Sequence, residues 1–246
     1  MKLDTTSPVS ILIIGAGGTG GYIIPNLYRI AYATRRKYKI LIADGDIVEK
    51  KNLVRQNFSN YDIGSNKAEA MAERYSEVFG IETEYVPEYI EDEDMLCELL
   101  TQKNEKEEWH IKPLYIIIGA VDNNRSRVMC HNVFNKLRDV IYIDSGNGEY
   151  TGQVVCGMKE NGKVITPPVA DVFPDILEDT EKFPSELSCA ERSVSAPQSI
   201  AANIFASTAV STMLFYLLTT GEIETPRIAF SSRKLLMKGI ACYENE

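Results

Sequence analysis

Val9-Ser10-Ile11-Leu12-Ile13-Ile14 runs straight into Gly15-Ala16-Gly17-Gly18-Thr19-Gly20. An apolar stretch of this length reads as a buried strand. The packed glycines that close it let backbone N–H groups approach a phosphate, and the N-terminus of the following helix adds a favourable dipole. The helix is expected from Thr19 to about Ala33, with Pro25 in its first two turns, where a missing N–H costs less than mid-helix. Taken alone, this spacing fits NAD, FAD and ATP sites equally. The residues that follow in order narrow it: Asp44-Gly45-Asp46, Asn52-Leu53-Val54-Arg55-Gln56, Lys67, then Asp122-Asn123.

Working outward, strand and helix patterns alternate. Tyr38–Ala43 is a second strand, and Ser65 or Asn66 can cap a helix through about Phe79. Glu84–Val86 is a short strand and Asp92 to about Leu100 a short helix. Leu114–Gly119 is strongly apolar, a helix follows from about Asn124 to Leu137, and Val140–Ile143 is a further strand. This βαβ order predicts an α/β fold, a doubly wound, Rossmann-like and mainly parallel sheet. After Asp144 the pattern changes. Gly146-Asn147-Gly148 and Asn161-Gly162 are turn signals around Gly152–Met158, so antiparallel strands should continue the sheet. Pro167–Pro197 reads as a long, acidic, proline-punctuated crossover loop, a functional cover or a disordered segment. Capping-box patterns begin at Ser188 and Ser195, the second opening an apolar helix to Leu218. Ile228–Phe230 and Leu235–Met237 can close as a terminal hairpin. One domain over 1–246 is expected, with a nucleotide-binding half (1–145) and an extension (146–246).

The composition excludes several classes. A net charge of −9 disfavours nucleic acid, whose backbone calls for a basic face. The acidic runs are read as solvated faces, with docking of a basic partner as the alternative. Five scattered cysteines form no C-x-x-C pair, so no structural zinc is expected, and a reducing, cytoplasmic setting fits. The first residues lack an apolar core of signal-peptide length. Ile200–Leu218 is long enough to span a bilayer, but Asn203, Ser207, Thr208, Ser211 and Thr212 interrupt it. It is read as a buried or subunit-interface helix, not a membrane anchor.

The cations discriminate among nucleotide chemistries. Asp44, at the end of the second strand, can accept from ribose hydroxyls in either an NAD or an ATP site. Hydride transfer has no use for Arg55 and Lys67 beside the phosphates. Nucleotidyl transfer does, because charge grows on the α-phosphate and on departing pyrophosphate. Asp122, past the Leu114–Gly119 strand, can hold the magnesium that bridges phosphates. Each residue also has a plainer reading. Arg55 could pair with Glu49 or Asp62, Lys67 could be an exposed helix residue, and Asp122 could cap the next helix. Asp46 is read as fixing the loop around Asn52. Cys189 sits where a helix dipole would favour thiolate, or is simply packed; Cys97, Cys130 and Cys156 are read as core.

The combination GAGGTG, DGD, NLVRQ, Lys67 in GSNK, and VDNN with Arg127 five residues past its aspartate resembles the ThiF/MoeB family. These are ATP-dependent adenylyltransferases related to ubiquitin-activating enzymes. Ser188-Cys189-Ala190-Glu191 before an apolar helix looks like that family's cysteine-bearing loop. The resemblance implies adenylation of the C-terminal glycine carboxylate of a ubiquitin-like or sulfur-carrier protein, with pyrophosphate released and the acyl group then passed to Cys189 in members that use a cysteine. It assigns Gly15, Gly17, Gly18 and Gly20 to the phosphates and Asp44 to the ribose. Asn52, Gln56, Asn123 and Arg127 join the nucleotide site. Arg55 and Lys67 stabilise the transferred phosphate, and Asp122 ligates Mg2+. It also implies a homodimer. The family's usual N-terminal arginine has no counterpart in residues 1–10, where Lys2 is the cation; Arg192 and Arg233 are candidate substitutes. The rival readings are a catalytically weak, nucleotide-binding scaffold or regulatory subunit, an NAD or FAD oxidoreductase that leaves Arg55, Lys67 and Asp122 without work, and a relative acting on tRNA.

Overall fold

Successive side chains of the first strand go to opposite faces of a sheet, and each face finds its own helices. In the computed structural model, which describes residues 3–102, 109, 111–179, 181–186 and 198–240, β1 (Val9–Ile14) is buried along its whole length. Val9, Ile11 and Ile13 pack with α1 (Gly20–Thr34), α2 (Lys67–Phe79) and α7 (Ile200–Thr219). Leu12 and Ile14 pack on the other face, against α3 (Glu93–Thr101), α4 (Asn124–Lys136) and the four-residue α5 (Val169–Val172) and α6 (Asp175–Glu178). Fully burying each such Ile or Leu is worth about 1.5–3 kcal/mol, so β1 anchors both layers.

Parallel pairing joins β3 (Thr83–Val86), β2 (Tyr38–Ala43), β1, β4 (Leu114–Gly119) and β5 (Val140–Asn147), in that spatial order. The order reverses direction between β1 and β4, the place where open α/β sheets bind ligands. From β5 the sheet continues antiparallel through β6 (Thr151–Glu160), β8 (Arg227–Ser231) and β9 (Leu236–Gly239). β7 (Lys163–Thr166) pairs with the far end of β6. The α/β doubly wound reading thus matches the architecture.

The terminal hairpin forms as read from β8 and β9, and β8 also pairs with β6 over Thr151–Val155, so the hairpin extends the main sheet. Two expectations change. The apolar helix does not open at the Ser195 box. Ser199 caps it, its side chain accepting from Ala202 N; Ser195, Ala196 and Pro197 of that box lie outside the described residues. The Pro167–Pro197 crossover is only partly a cover: Val169, Ala170 and Ile176 are buried in the second layer, and Asp179 and Glu181 accept from the side chain and backbone of Asn124 at 2.6 Å each. The Ser188 box and Cys189 lie outside the described residues.

Candidate functional site

The glycine loop leaves β1 at the sheet's switch point. Gly15 has φ +95°, a left-handed conformation that favours glycine, and an added Cβ there would lie 2.5 Å from Ala120 O. The glycine at 18 has a different cause. Its backbone is ordinary, but a Cβ would come within 2.4 Å of Asn203 Nδ2 and 2.6 Å of Arg55 Nη1. Two side chains therefore close over this peptide, one from the loop after β2 and one from α7.

The N-terminus of α1 points out of this loop and has no side-chain cap: Thr19 already has helical backbone angles (φ −84°, ψ −49°), and its Oγ1 donates to Asn147 Oδ1 at 3.0 Å. By contrast α2, α3, α4 and α7 are capped by Asn66, Asp92, Asn123 and Ser199. Gly21 N donates to Gly17 O at 3.0 Å and Tyr22 N to Thr19 O at 3.1 Å, so what this end offers an anion is the helix dipole and the peptides of the glycine loop ahead of Gly21.

Asp44, at the end of β2, holds the loop in place. Oδ2 accepts from Ala16 N at 2.7 Å and Oδ1 from Asp46 N at 2.9 Å. A carboxylate has about four acceptor sites, so both oxygens retain capacity for a ribose hydroxyl. Burial pushes its carboxyl up, against the pull of Lys67. Asp46 accepts from Lys67 Nζ at 2.7 Å and from the Tyr89 hydroxyl. Asn52 accepts from Glu49 N at 2.8 Å and closes the capping box of a short 3-10 turn, Lys50–Val54.

Lys67 is 5 % exposed, so the exposed-helix reading fails. Arg55 pairs with neither Glu49 nor Asp62, which are taken by Lys51 and Arg74. Its Nη1 donates to Gln198 Oε1 at 3.0 Å. Gln56 is buried beside Gly17, and its Oε1 accepts from no donor among the described residues.

The loop after β4 carries the remaining residues. Asp122 is exposed and does not cap α4; Asn123 does, accepting from Ser126 N at 2.8 Å. Arg127 spends its guanidinium inside the protein, donating to Asp144 Oδ1 at 3.3 Å, Asn124 Oδ1 at 2.8 Å and Val121 O at 2.8 Å. Its nearest role is to tie the Asp122 loop to β5. Asp144 also accepts from the Tyr142 hydroxyl at 2.9 Å, and burial pushes its carboxyl up against Arg127. Cys130 is buried beside them, its thiol pushed up by desolvation, and Cys156 is equally buried in β6, so neither is a nucleophile.

β2, β1 and β4 are neighbours, so Asp44, the glycine loop and the Asp122 loop share one edge of the sheet. Sequence reasoning missed Asn203, Asn147 and Gln198 at this edge. The available signal was Asn203 itself, an amide in an otherwise apolar helix.

The model of the ThiF family matches residues 2–240. No curated protein sequence matches the chain. Among solved structures, selenomethionine PaaA superposes with a TM-score of 0.65 at 16% identity, covering 95% of this chain and 63% of that one. Escherichia coli MccB with AMPCPP and MccA gives 0.63 at 17% identity, covering 94% and 63%. The same protein with ATP gives 0.59 at 18% identity, covering 96% and 63%. The chain therefore spans under two thirds of these neighbours' length, and the likeness to them is one of fold.

Proposed function

The chain belongs to the ThiF family, and from that membership and the loop geometry we propose that it is an ATP-dependent adenylyltransferase acting on a carboxylate at the end of a small protein or peptide. The observation that carries this reading is the uncapped N-terminus of α1 with Arg55 beside Gly18. A site for hydride transfer would need no guanidinium there.

In this reading the acceptor carboxylate attacks the α-phosphorus of ATP. A C–O–P bond forms, the bond from the α-phosphorus to the bridging oxygen breaks, and pyrophosphate leaves with that electron pair. No general base is required, because a carboxylate is already ionised near neutral pH. Arg55 exchanges its neutral partner Gln198 for phosphate oxygens. Lys67 stays oriented by Asp46 toward the end of β2, and Asp44 offers its remaining acceptor sites to the ribose. Asp122 is the carboxylate that would hold Mg2+; one protein carboxylate plus substrate phosphates is an ordinary arrangement for that ion, which would neutralise phosphate charge.

The acceptor follows the family resemblance, a ubiquitin-like or sulfur-carrier protein ending in glycine. The neighbouring MccB, solved with MccA, supports a peptide as the other form. ATP–pyrophosphate exchange, run with both kinds of tail, tests this. Exchange with one of them is expected; absence of exchange together with absence of ATP binding rejects it. ATP binding without exchange would instead favour the scaffold reading.

We also infer a homodimer through α7. Its outer face carries two apolar pairs, Ile200 with Ile204 and Phe215 with Tyr216, each residue between 43 and 49 % exposed, with the exposed Thr208 and Thr212 between them. Exposed apolar pairs on a helix that already packs on the sheet call for a second covering surface.

A further inference from the structure

Asn203 is 0 % exposed, in the first turn of α7. Its Oδ1 accepts from Asn147 Nδ2 at 3.0 Å, and Asn147 Oδ1 accepts from Thr19 Oγ1 at 3.0 Å. Donors therefore run one way along Thr19, Asn147 and Asn203. The series ends on Asn203 Nδ2, which meets no acceptor among the described residues.

A buried amide N–H without a partner is costly, and native chains rarely keep one without use. This one has a defined neighbourhood. Nδ2 lies 2.4 Å, and Arg55 Nη1 2.6 Å, from the point where a Gly18 side chain would begin. Two donors, one of them charged, thus meet over a bare peptide beside the uncapped end of α1.

We propose that Asn203 Nδ2 and Arg55 Nη1 together seat a phosphate oxygen of the nucleotide over Gly18, which makes Asn203 a substrate-contacting residue supplied by the C-terminal half. The seat is closed in the free chain. Arg55 covers it, held by the neutral Gln198 Oε1. A phosphate oxygen forms a stronger, charge-assisted bond with the guanidinium than a neutral amide does. Arg55 then shifts from Gln198 to the phosphate, and the amide behind it gains its acceptor. The hydroxyl of Thr19, already donating into the series, polarises the amide in the direction that strengthens its N–H.

This inference rests on the nucleotide reading above, and the experiment separates the two. Asn203→Asp keeps the oxygen that Asn147 needs and replaces the donor by an oxygen. Asn203→Leu removes both polar atoms at similar volume. Binding of ATP, tripolyphosphate and adenosine to each purified chain is measured by calorimetry, with thermal melts to confirm folding. Both variants should bind ATP and tripolyphosphate about tenfold to a hundredfold more weakly than wild type, with adenosine affinity unchanged. Wild-type ATP affinity in the folded Asp variant would mean that no donor is needed over Gly18, and would overturn the proposal alone. Equal losses for adenosine and ATP would also overturn it, by making Asn203 structural. Should the wild-type chain bind neither ATP nor tripolyphosphate, both readings fall together. If one variant fails to fold, the other decides by the same comparison.

Discussion

Lys67 Nζ donates to Asp46 Oδ2 at 2.7 Å from a side chain that is itself buried, while Asp46 remains partly open to solvent. The pair holds an ammonium beside the end of β2 and orients it. Lys67→Met should lower pyrophosphate exchange at least about a hundredfold, as for the loss of a positioned charge in phosphoryl transfer. Asp46→Asn should cost about 1 kcal/mol of stability once solvent screening of the exposed partner is allowed for. Exchange kinetics and urea melts check the two effects.

Gly18→Ala tests whether this glycine is there for approach, not for backbone freedom. Its Cβ would displace both Asn203 and Arg55, so ATP affinity should fall at least about tenfold. The overpacking penalty should be about 1–3 kcal/mol. Gly148→Ala is the control, because nothing lies within 4 Å of a Cβ there and its backbone is ordinary. It should bind ATP like wild type.

Removal of Arg127 leaves Asp144, 1 % exposed, without its cation. Arg127→Met is expected to destabilise the fold by about 3–5 kcal/mol, the cost of stranding one member of a buried pair. Arg127→Met combined with Asp144→Asn should recover part of that loss. Chemical denaturation of the two single variants and the double variant measures the coupling.

Asp44 gives stability a pH signature. Burial raises its carboxyl above the ordinary 3.8, Lys67 opposes the rise and Asp46 adds to it. Between 3.8 and the raised value the folded chain holds a proton that the unfolded chain has released. This group's contribution to stability therefore grows as pH falls across that window, and is lost as pH climbs through the folded value. Denaturant melts of wild type and Asp44→Asn from about pH 7 to about pH 4 should show their stability difference moving in favour of wild type. Movement the other way would mean that Lys67 outweighs burial.

For the outer face of α7, Phe215→Glu places a charge beside Tyr216 in the exposed apolar pair near the helix's C-terminal end. Sedimentation should find a dimer for wild type and a monomer for the variant, with the melting curve little altered because Phe215 is half exposed. A wild-type monomer at micromolar concentration would remove the homodimer from the proposal.

The parallel half of the sheet was legible because its strands are buried on both faces and read as unbroken apolar runs. β1, β2 and β4 fall at the expected bounds. β7 and the pairing of β8 with β6 were not, since half-exposed strands such as Lys163–Thr166 carry no clear pattern and long-range pairing leaves no local trace. At the site, the residue types in NLVRQ pointed to Arg55 and Gln56 as loop neighbours, and both meet the glycine loop. Their partners did not show. Asn203 lies far along the chain from Gly18, and only the packing of α7 on α1 brings them together. Asn52, Asn123 and Arg127 carry the family pattern, yet their side chains are engaged within the protein. A motif alone cannot separate a group that touches ligand from one that holds the loop in place.

Thr19 donates its hydroxyl proton to Asn147, and its oxygen accepts nothing from the start of its own helix. Forgoing a cap of that kind leaves a helix about 1 kcal/mol weaker. The empty protein is consequently built below its own ceiling, and whatever anion completes that helix end raises the melting temperature in proportion to how tightly it is held. Thermal-shift screening could therefore find this protein's ligand before any reaction is known.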